Sequence, residues 1–295
     1  DARGGRAGEM PLPAAPTAAA VSPSGKQLLV ALRDSGVLVV DAEEWTVVDR
    51  VPFSPAAVRR ESGGPVSGWI RQVALAEGTL WAAVEGRDGD AALLRLRRPE
   101  REWVEGSWAE MPAGYRLDAR GVRLRVVNDE LWAVSAARTP PLLHRVVGLT
   151  RVDAFPGDSV AEVRCAHDVA QGATGNLLLL SCQGMLQEIR RDGRELVLEG
   201  PSKEASVPGS GLEGTRLDEI VARGGDDTYV ATSVYVDLPA DRPGGAVVYR
   251  VDGSGGRKVA QMSEVAITSL AVAPRAVVAV VRRLDGSTDV VWMAR

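Results

Sequence analysis

Aromatic residues are scarce in this 295-residue chain. Phe, Tyr and Trp together make up 4%, with two Phe, four Tyr and seven Trp. A core built from the 45% of hydrophobic residues must therefore be filled mainly by Leu, Val and Ala. Cysteine and histidine occur twice each, too few ligands for a structural zinc site, which takes four. No metal and no cofactor is expected. Lysine occurs three times, at Lys26, Lys203 and Lys258, so arginine carries almost all of the positive charge. The net charge is −4. Nucleic-acid binding calls for concentrated positive charge, so the expectation from charge is a chain with no nucleic-acid partner. No apolar run reaches the ~18–20 residues that a membrane-spanning helix requires, so no membrane insertion is expected. No segment of ten residues keeps a helical period, and Pro16 interrupts the alanine-rich stretch near the start.

What is present is a repeat. A short turn followed by a compact apolar run occurs six times: SGKQLLVAL, EGTLWAAVE, NDELWAVSA, TGNLLLLSC, DDTYVATS and PRAVVAVVR. Aligning Leu28, Leu80, Leu131, Leu177, Tyr229 and Val277 gives intervals of 52, 51, 46, 52 and 48 residues. A strand-like segment precedes each run, as at Ile70–Ala76 and Val122–Val127, and one or two more follow. Asp-Gly turns join several of them, including Asp88-Gly89 and Asp192-Gly193. Four antiparallel strands per repeat of about fifty residues match one blade of a β-propeller, whose apolar faces are buried only by stacking on neighbours. The predicted fold is all-β: a six-bladed β-propeller of four-stranded blades in one domain, residues 1–295. The blades are approximately 17–53, 67–112, 116–157, 160–200, 212–262 and 264–295. The sixth repeat lacks a fourth strand. Glu9-Met10-Pro11 echoes Glu110-Met111-Pro112 at the end of the second repeat, so residues 6–12 are expected to close the ring as the outer strand of the last blade.

The turn Ser22-Pro23-Ser24-Gly25-Lys26 ahead of Leu28-Leu29-Val30, with Thr79-Leu80-Trp81-Ala82, carries a resemblance. It is similar to the SPDGK turn of bacterial β-propellers of the WD40, NHL and TolB-like class, among which the propellers of LpqB-like actinobacterial lipoproteins are one possible relative. The Gly-His and Trp-Asp pair of eukaryotic WD40 blades is missing. The resemblance implies a binding or scaffold module.

Cys165 and Cys182 sit symmetrically about a hairpin centred on Ala173-Thr174, whose paired residue numbers should sum to about 347. They are therefore expected to form a cross-strand disulfide contributing ~3 kcal/mol. Two buried thiols are the alternative. The disulfide, with a start at Asp1 rather than Met, points to an extracytoplasmic address, secreted or membrane-anchored, over a cytoplasmic one. Polar residues on the first strands would line the central channel: Arg71, Arg123, Asp168, Asp218 and Glu219. The carboxylates come from two blades and the arginines from others, a set better suited to a bound anion or a salt-bridged plug than to a cation. His167 and His144 lack the setting of an acid–base pair. No phosphate loop and no nucleophile elbow occurs.

Long connectors are the remaining irregularity. The segment 236–245 interrupts the fifth repeat and mixes Asp237, Asp241 and Arg242 with two prolines, and Tyr235 stands at its base. Loops on a rigid ring commonly carry recognition. The expected function is a non-catalytic binding or scaffold module, expected to be monomeric, that holds a protein partner or another domain of the same longer chain on this rim. The alternative is a propeller hydrolase, lactonase or lyase with its site at the axis.

Overall fold

The computed structural model describes residues 12–58, 66, 68–85, 91–97, 100–105, 121–135, 142–147, 151–156, 166–172, 175–181, 185–192, 195–204, 216–224, 226–236, 242–252 and 255–295. Among them every regular element is a strand except one short 3-10 turn at Pro55–Ala57. The first sheet holds β1 (Pro16–Val21), β2 (Gln27–Leu32), β3 (Gly36–Asp41) and β4 (Val47–Val51). The second holds β5 (Ile70–Ala76), β6 (Thr79–Glu85), β7 (Ala91–Arg97) and β8 (Glu102–Glu105). The third holds β9 (Val122–Val127), β10 (Glu130–Ser135), β11 (Leu142–Val147) and β12 (Arg151–Pro156). The fourth holds β13 (Ala166–Gln171), β14 (Leu177–Ser181), β15 (Met185–Asp192) and β16 (Glu195–Glu204). The fifth holds β17 (Arg216–Gly224), β18 (Asp227–Val236), β19 (Arg242–Asp252) and β20 (Gly255–Ser263). The last holds β21 (Val265–Val272), β22 (Ala276–Arg283) and β23 (Thr288–Ala294).

Each sheet is an antiparallel meander in chain order. Successive first strands pack side by side, β1 on β5, β5 on β9, β9 on β13, β13 on β17 and β17 on β21, and β21 returns to β1. The result is a closed ring, an all-β propeller. Short hairpin turns make the meander possible. Between β9 and β10, Asn128 and Asp129 both adopt positive φ, 53° and 62°, the backbone of a two-residue hairpin turn whose twist matches that of the strands. At Gly36, with φ 110°, a Cβ would lie 2.0 Å from the Val51 carbonyl oxygen, so only glycine fits where β3 leaves its turn against β4.

The ring explains why the second strands read as continuous apolar runs: each is covered on both faces. Leu29 and Ala31 of β2 pack with Ile70, Val73 and Leu80 of the second sheet. Leu28, Val30 and Leu32, alternating with them, pack against Val278, Val280 and Trp292 of the last sheet. The same period-two division recurs along β6, where Leu80 and Ala82 face back to the first sheet and Trp81 and Ala83 face forward to the third. Trp132 and Val134 of β10 likewise face forward to β14. In the fifth sheet, the residue that faces back is Val230, while Tyr229 faces forward with Ala231. Tyr229 is therefore one residue out of step with the other five aligned positions, and a one-residue slip along a strand exchanges its two faces.

Two parts of the expected architecture need correction. The predicted ring of six four-stranded blades closed by an N-terminal strand is not what is found: five blades are four-stranded, and the sheet β21-β22-β23 has three strands. No N-terminal strand pairs with β23 among the described residues, and most of segment 6–12 lies outside them. Closure instead runs through the inner strands. The Ala19 N–H donates to Ser269 Oγ at 3.1 Å, and the Ser269 hydroxyl donates to the Ala19 carbonyl at 2.8 Å, joining β1 to β21. A stacked pair, Trp45 on Trp292 with centroids 5.0 Å apart, joins the same two sheets farther out.

The disulfide is the second correction. Among the described residues there is no disulfide, and Cys165 and Cys182 both lie outside them. The β13–β14 register gives sums of 348 from Gln171↔Leu177 to Asp168↔Leu180, and past the bulge between Ala166 and Asp168 it gives 347 at Ala166↔Ser181, the last pair described before the cysteines. The bond is withdrawn.

Candidate functional site

The six first strands enclose a cavity of about 430 Å³ at the end of the axis where the β1–β2, β17–β18 and β21–β22 turns lie. Apolar side chains such as Ala74, Leu124 and Leu270 form part of its wall, and the Ser22–Gly25 turn part of its mouth. The charged residues of the lining are Arg125, Arg223 and Arg295. Among the described residues no carboxylate belongs to the lining.

Beside the cavity, Asp168 is fully buried. It follows the β13 bulge and stands at a junction of three sheets. Its Oδ2 accepts from Arg125 Nη2 at 2.7 Å and from the Val221 N–H at 3.0 Å, and its Oδ1 accepts from the Val169 N–H at 2.9 Å. Arg123 Nη1 lies 4.0 Å away. The third, fourth and fifth sheets are thus linked through one carboxylate. Two arginines reach it because Arg123 and Arg125 alternate on β9 and share a face.

At the mouth, Arg295 forms a second centre. Its guanidinium donates to Asp227 Oδ2, at 2.5 Å from Nη2, and to the Gly224 carbonyl at 2.8 Å. Arg250 Nη2 also reaches Asp227, at 2.5 Å. The hydrogen bond from Arg295 is the chief reason that the Asp227 carboxyl is held below its ordinary value of 3.8; partial burial opposes it and the nearby positive charges add to it. The tips of neighbouring hairpins are tied as well. The Glu77 N–H donates to Asp129 Oδ1 at 2.8 Å, Asn128 Nδ2 donates to the Gly175 carbonyl, and Gln171 Nε2 donates to Asn128 Oδ1 at 3.3 Å.

The residues expected to line the channel are distributed differently. Arg123 and Asp168 come together, both buried. Arg71 does not join them: it pairs with Glu85 at 2.8 Å and stacks on Trp69, whose ring is also covered by Arg33. Asp218 and Glu219 lie on β17 opposite Ser233 and Thr232, and their side chains are outside the description. On the rim, segment 236–245 is less of a loop than expected. β18 and β19 continue as a paired hairpin to Tyr235↔Pro243 and Val236↔Arg242, past a bulge at Val234. Tyr235 is buried, with Arg282 over its ring at 5.5 Å, so it is unable to offer the contact area expected of it. Arg242 is exposed. Asp237 and Asp241 lie outside the described residues.

Sequence reasoning missed Arg125, Arg223 and Arg295. The Arg-Leu-Arg alternation of β9 signalled the first. The other two are brought to the mouth only by the meeting of the fifth and last sheets.

No family model and no curated protein matches the chain. Solved structures do. The chain is similar to the Cps50 (Swd1) β-propeller domain of Myceliophteria thermophila at 14% identity and a TM-score of 0.52, covering 99% of both chains. It is similar to the RRP9 WD40 repeats at 12% identity and a TM-score of 0.53, covering 97% of this chain and 96% of that one. U3-55K matches at 12% identity and a TM-score of 0.50, over 97% of each chain. The likeness is one of fold. It extends over almost the whole chain and shows a WD40-like β-propeller fold.

Three expectations are withdrawn here. The bacterial and lipoprotein association finds no counterpart among these structures. The extracytoplasmic address rested on the disulfide and goes with it, and the similar propellers lend it no support. The exclusion of a nucleic-acid partner also falls. It rested on a net charge summed over the whole chain, whereas attraction to a polyanion acts locally, and the charged residues described in the lining of the axial cavity are arginines.

Proposed function

We propose that the whole chain acts as one binding module, which holds a protein partner on the rim of the ring at the end of the β18–β19 hairpin and catalyses no reaction. The observation that carries this reading is the use made of Asp168. It is the one carboxylate whose side chain is described on the six first strands, and it is consumed in joining three sheets rather than directed at a reacting atom. Among the described residues no group of three or more His, Cys, Asp or Glu is arranged to hold a metal ion. A rigid ring of this kind leaves recognition to its loops and hairpin ends. Arg242, exposed where the hairpin turns, with Asp237 and Asp241 in the same connection, provides charges of both signs to set orientation and partner choice.

The test begins with the intact chain as bait and a partner identified by mass spectrometry, then purified for binary measurement. Arg242→Glu with Asp241→Lys is expected to weaken that binary affinity tenfold or more, while Asp218→Asn with Glu219→Gln leaves it unchanged. If the axial pair of substitutions abolishes a measurable turnover, the hydrolase, lactonase or lyase reading replaces this one.

A further inference from the structure

We infer that the open edge of the last blade is a docking site for an extended acidic segment of a partner protein, which pairs with β23 as a fourth strand. The juxtaposition that points to it is a strand edge, unpaired among the described residues, between two outer strands, β4 and β20, that each turn an exposed arginine toward it.

The edge follows from the register of the last hairpin. β23 pairs with β22 without a bulge from Arg282↔Thr288 to Ala276↔Ala294. Just beyond the two ends, the Arg283 N–H donates to the Ser287 carbonyl and the Arg295 N–H to the Arg275 carbonyl. Hydrogen-bonded and non-bonded pairs alternate along an antiparallel ladder, so Asp289, Val291 and Met293 bond to β22. The backbone groups of Thr288, Val290, Trp292 and Ala294 point the other way, and among the described residues no strand meets them. Such a row of donors and acceptors is a template for another strand.

The walls state what fits. In the first sheet, Leu38 and Val40 pack toward the last one. Their partners on β4 are Arg50 and Val47, which share that face. In the fifth sheet, Ala246 and Val248 pack toward the last one. Arg250 continues their face, and the partners of these three on β20 are Met262, Ala260 and Arg257. Arg50 and Arg257 are exposed. Two of the three exposed large hydrophobic residues among those described, Val47 and Val48, stand on β4. Both outer strands start at the cavity end of the ring, so Arg257 lies near that end of one wall and Arg50 near the far end of the other. A strand antiparallel to β23 would meet Arg257 from one face at its start and Arg50 from the other face at its end. The occupant is therefore acidic at both ends and apolar or β-branched between them.

The recess excludes a second copy of the same edge. β4 and β20 extend one strand farther out than β23, about 4.8 Å. That recess admits one extended chain and keeps two such edges apart. The inference is independent of the rim, since it uses none of the residues at the end of the β18–β19 hairpin.

The probe is a fluorescein-labelled synthetic peptide, Gly-Ser-Glu-Val-Thr-Val-Thr-Glu-Gly-Ser, titrated with the intact chain and followed by anisotropy and hydrogen exchange. Saturable one-to-one binding is expected, with exchange at the Val290 and Trp292 N–H groups slowed tenfold or more. Val290→Pro removes one outward N–H and spares the ladder to β22, and it is expected to weaken binding tenfold or more. Arg50→Glu with Arg257→Glu alters only exposed side chains and is expected to do the same, which keeps the test decisive should the proline variant misfold. The peptide with lysine in place of both glutamates is expected to prefer that double variant to the unaltered chain. Arg242→Glu, on the rim, is expected to bind as the unaltered chain does. Absence of saturable binding overturns the inference, and so does equal binding of the acidic and lysine peptides by the unaltered chain. A dimer that Val290→Pro converts to monomer would give the edge to a second copy. Binding that appears only once residues 1–11 are removed would give it to the chain's own start. Either result overturns the inference as well.

Discussion

Replacing Asp168 is the sharpest test of how the ring is held together. In Asp168→Ala, Arg125 loses its 2.7 Å carboxylate and the buried Arg123 its nearby counter-charge, and the Val221 and Val169 N–H groups lose their acceptor. An orphaned buried N–H costs about 1–3 kcal/mol, and removing one partner of a buried ion pair about 3–5 kcal/mol. These losses share one carboxylate, so they overlap rather than add. The expected destabilisation is about 3–5 kcal/mol, a large part of the roughly 5–15 kcal/mol by which domains are stable. With a urea slope of about 3 kcal/mol per molar, the unfolding midpoint falls by roughly 1–1.7 M. The assay is urea unfolding followed by tryptophan fluorescence, which the buried Trp81 and Trp132 report. Asp168→Asn keeps an acceptor for one N–H and is expected to lose about half as much. Asp168→Leu with Arg125→Leu removes charge and counter-charge together and should recover at least about 1.5 kcal/mol relative to the sum of the single changes. A midpoint for Asp168→Ala within 0.3 M, to be taken as roughly 1 kcal/mol or less, refutes the reasoning, and so does strict additivity of the pair.

Two further predictions follow from the way the ring closes. Ser269→Ala breaks both bonds between Ser269 and Ala19 and takes the hydroxyl away from the Ala19 N–H and carbonyl alike. It is expected to cost about 1–3 kcal/mol, measured by the same unfolding assay. At the mouth, Asp227→Asn weakens the hold on Arg295. The exposure of these side chains screens the interaction, so the loss at neutral pH is expected near 1 kcal/mol. Because the folded carboxyl is held below its ordinary value, this stability is fully present above the unfolded value and disappears as pH falls through the folded one. The unfolding curves of Asp227→Asn and the unaltered chain should therefore differ at pH 7 and converge as acidification passes the lowered folded value. A gap that persists there would assign the effect to packing rather than charge.

Much of the propeller was legible in the sequence because its signals are local. The expected first strands at Ile70–Ala76 and Val122–Val127 coincide with β5 and β9. The turn at Asn128-Asp129 carries its own chemistry in two residues that tolerate positive φ. Trp81 and Trp132, matched by the repeat, are both buried and both face the following sheet. The candidate site was legible only in part. Arg123 and Asp168 were singled out, yet nothing local showed that they meet, since β10, β11 and β12 lie between them in the chain.

What only the tertiary structure decided is where each face of each strand finds its partner. Leu28 and Leu29 are neighbours in sequence and equally apolar, but one belongs to the junction with the last sheet and the other to the junction with the second. The out-of-step position of Tyr229 is invisible in the pattern, because in a strand buried on both faces a shift of one residue leaves an apolar run unchanged. Ser269 meets Ala19 across 250 residues of chain, and Arg295 meets Asp227 across 68. A repeat specifies the blade by short-range periodicity. Closure and the arginine-lined mouth depend instead on the twist accumulated over all the sheets, which brings the last one back against the first.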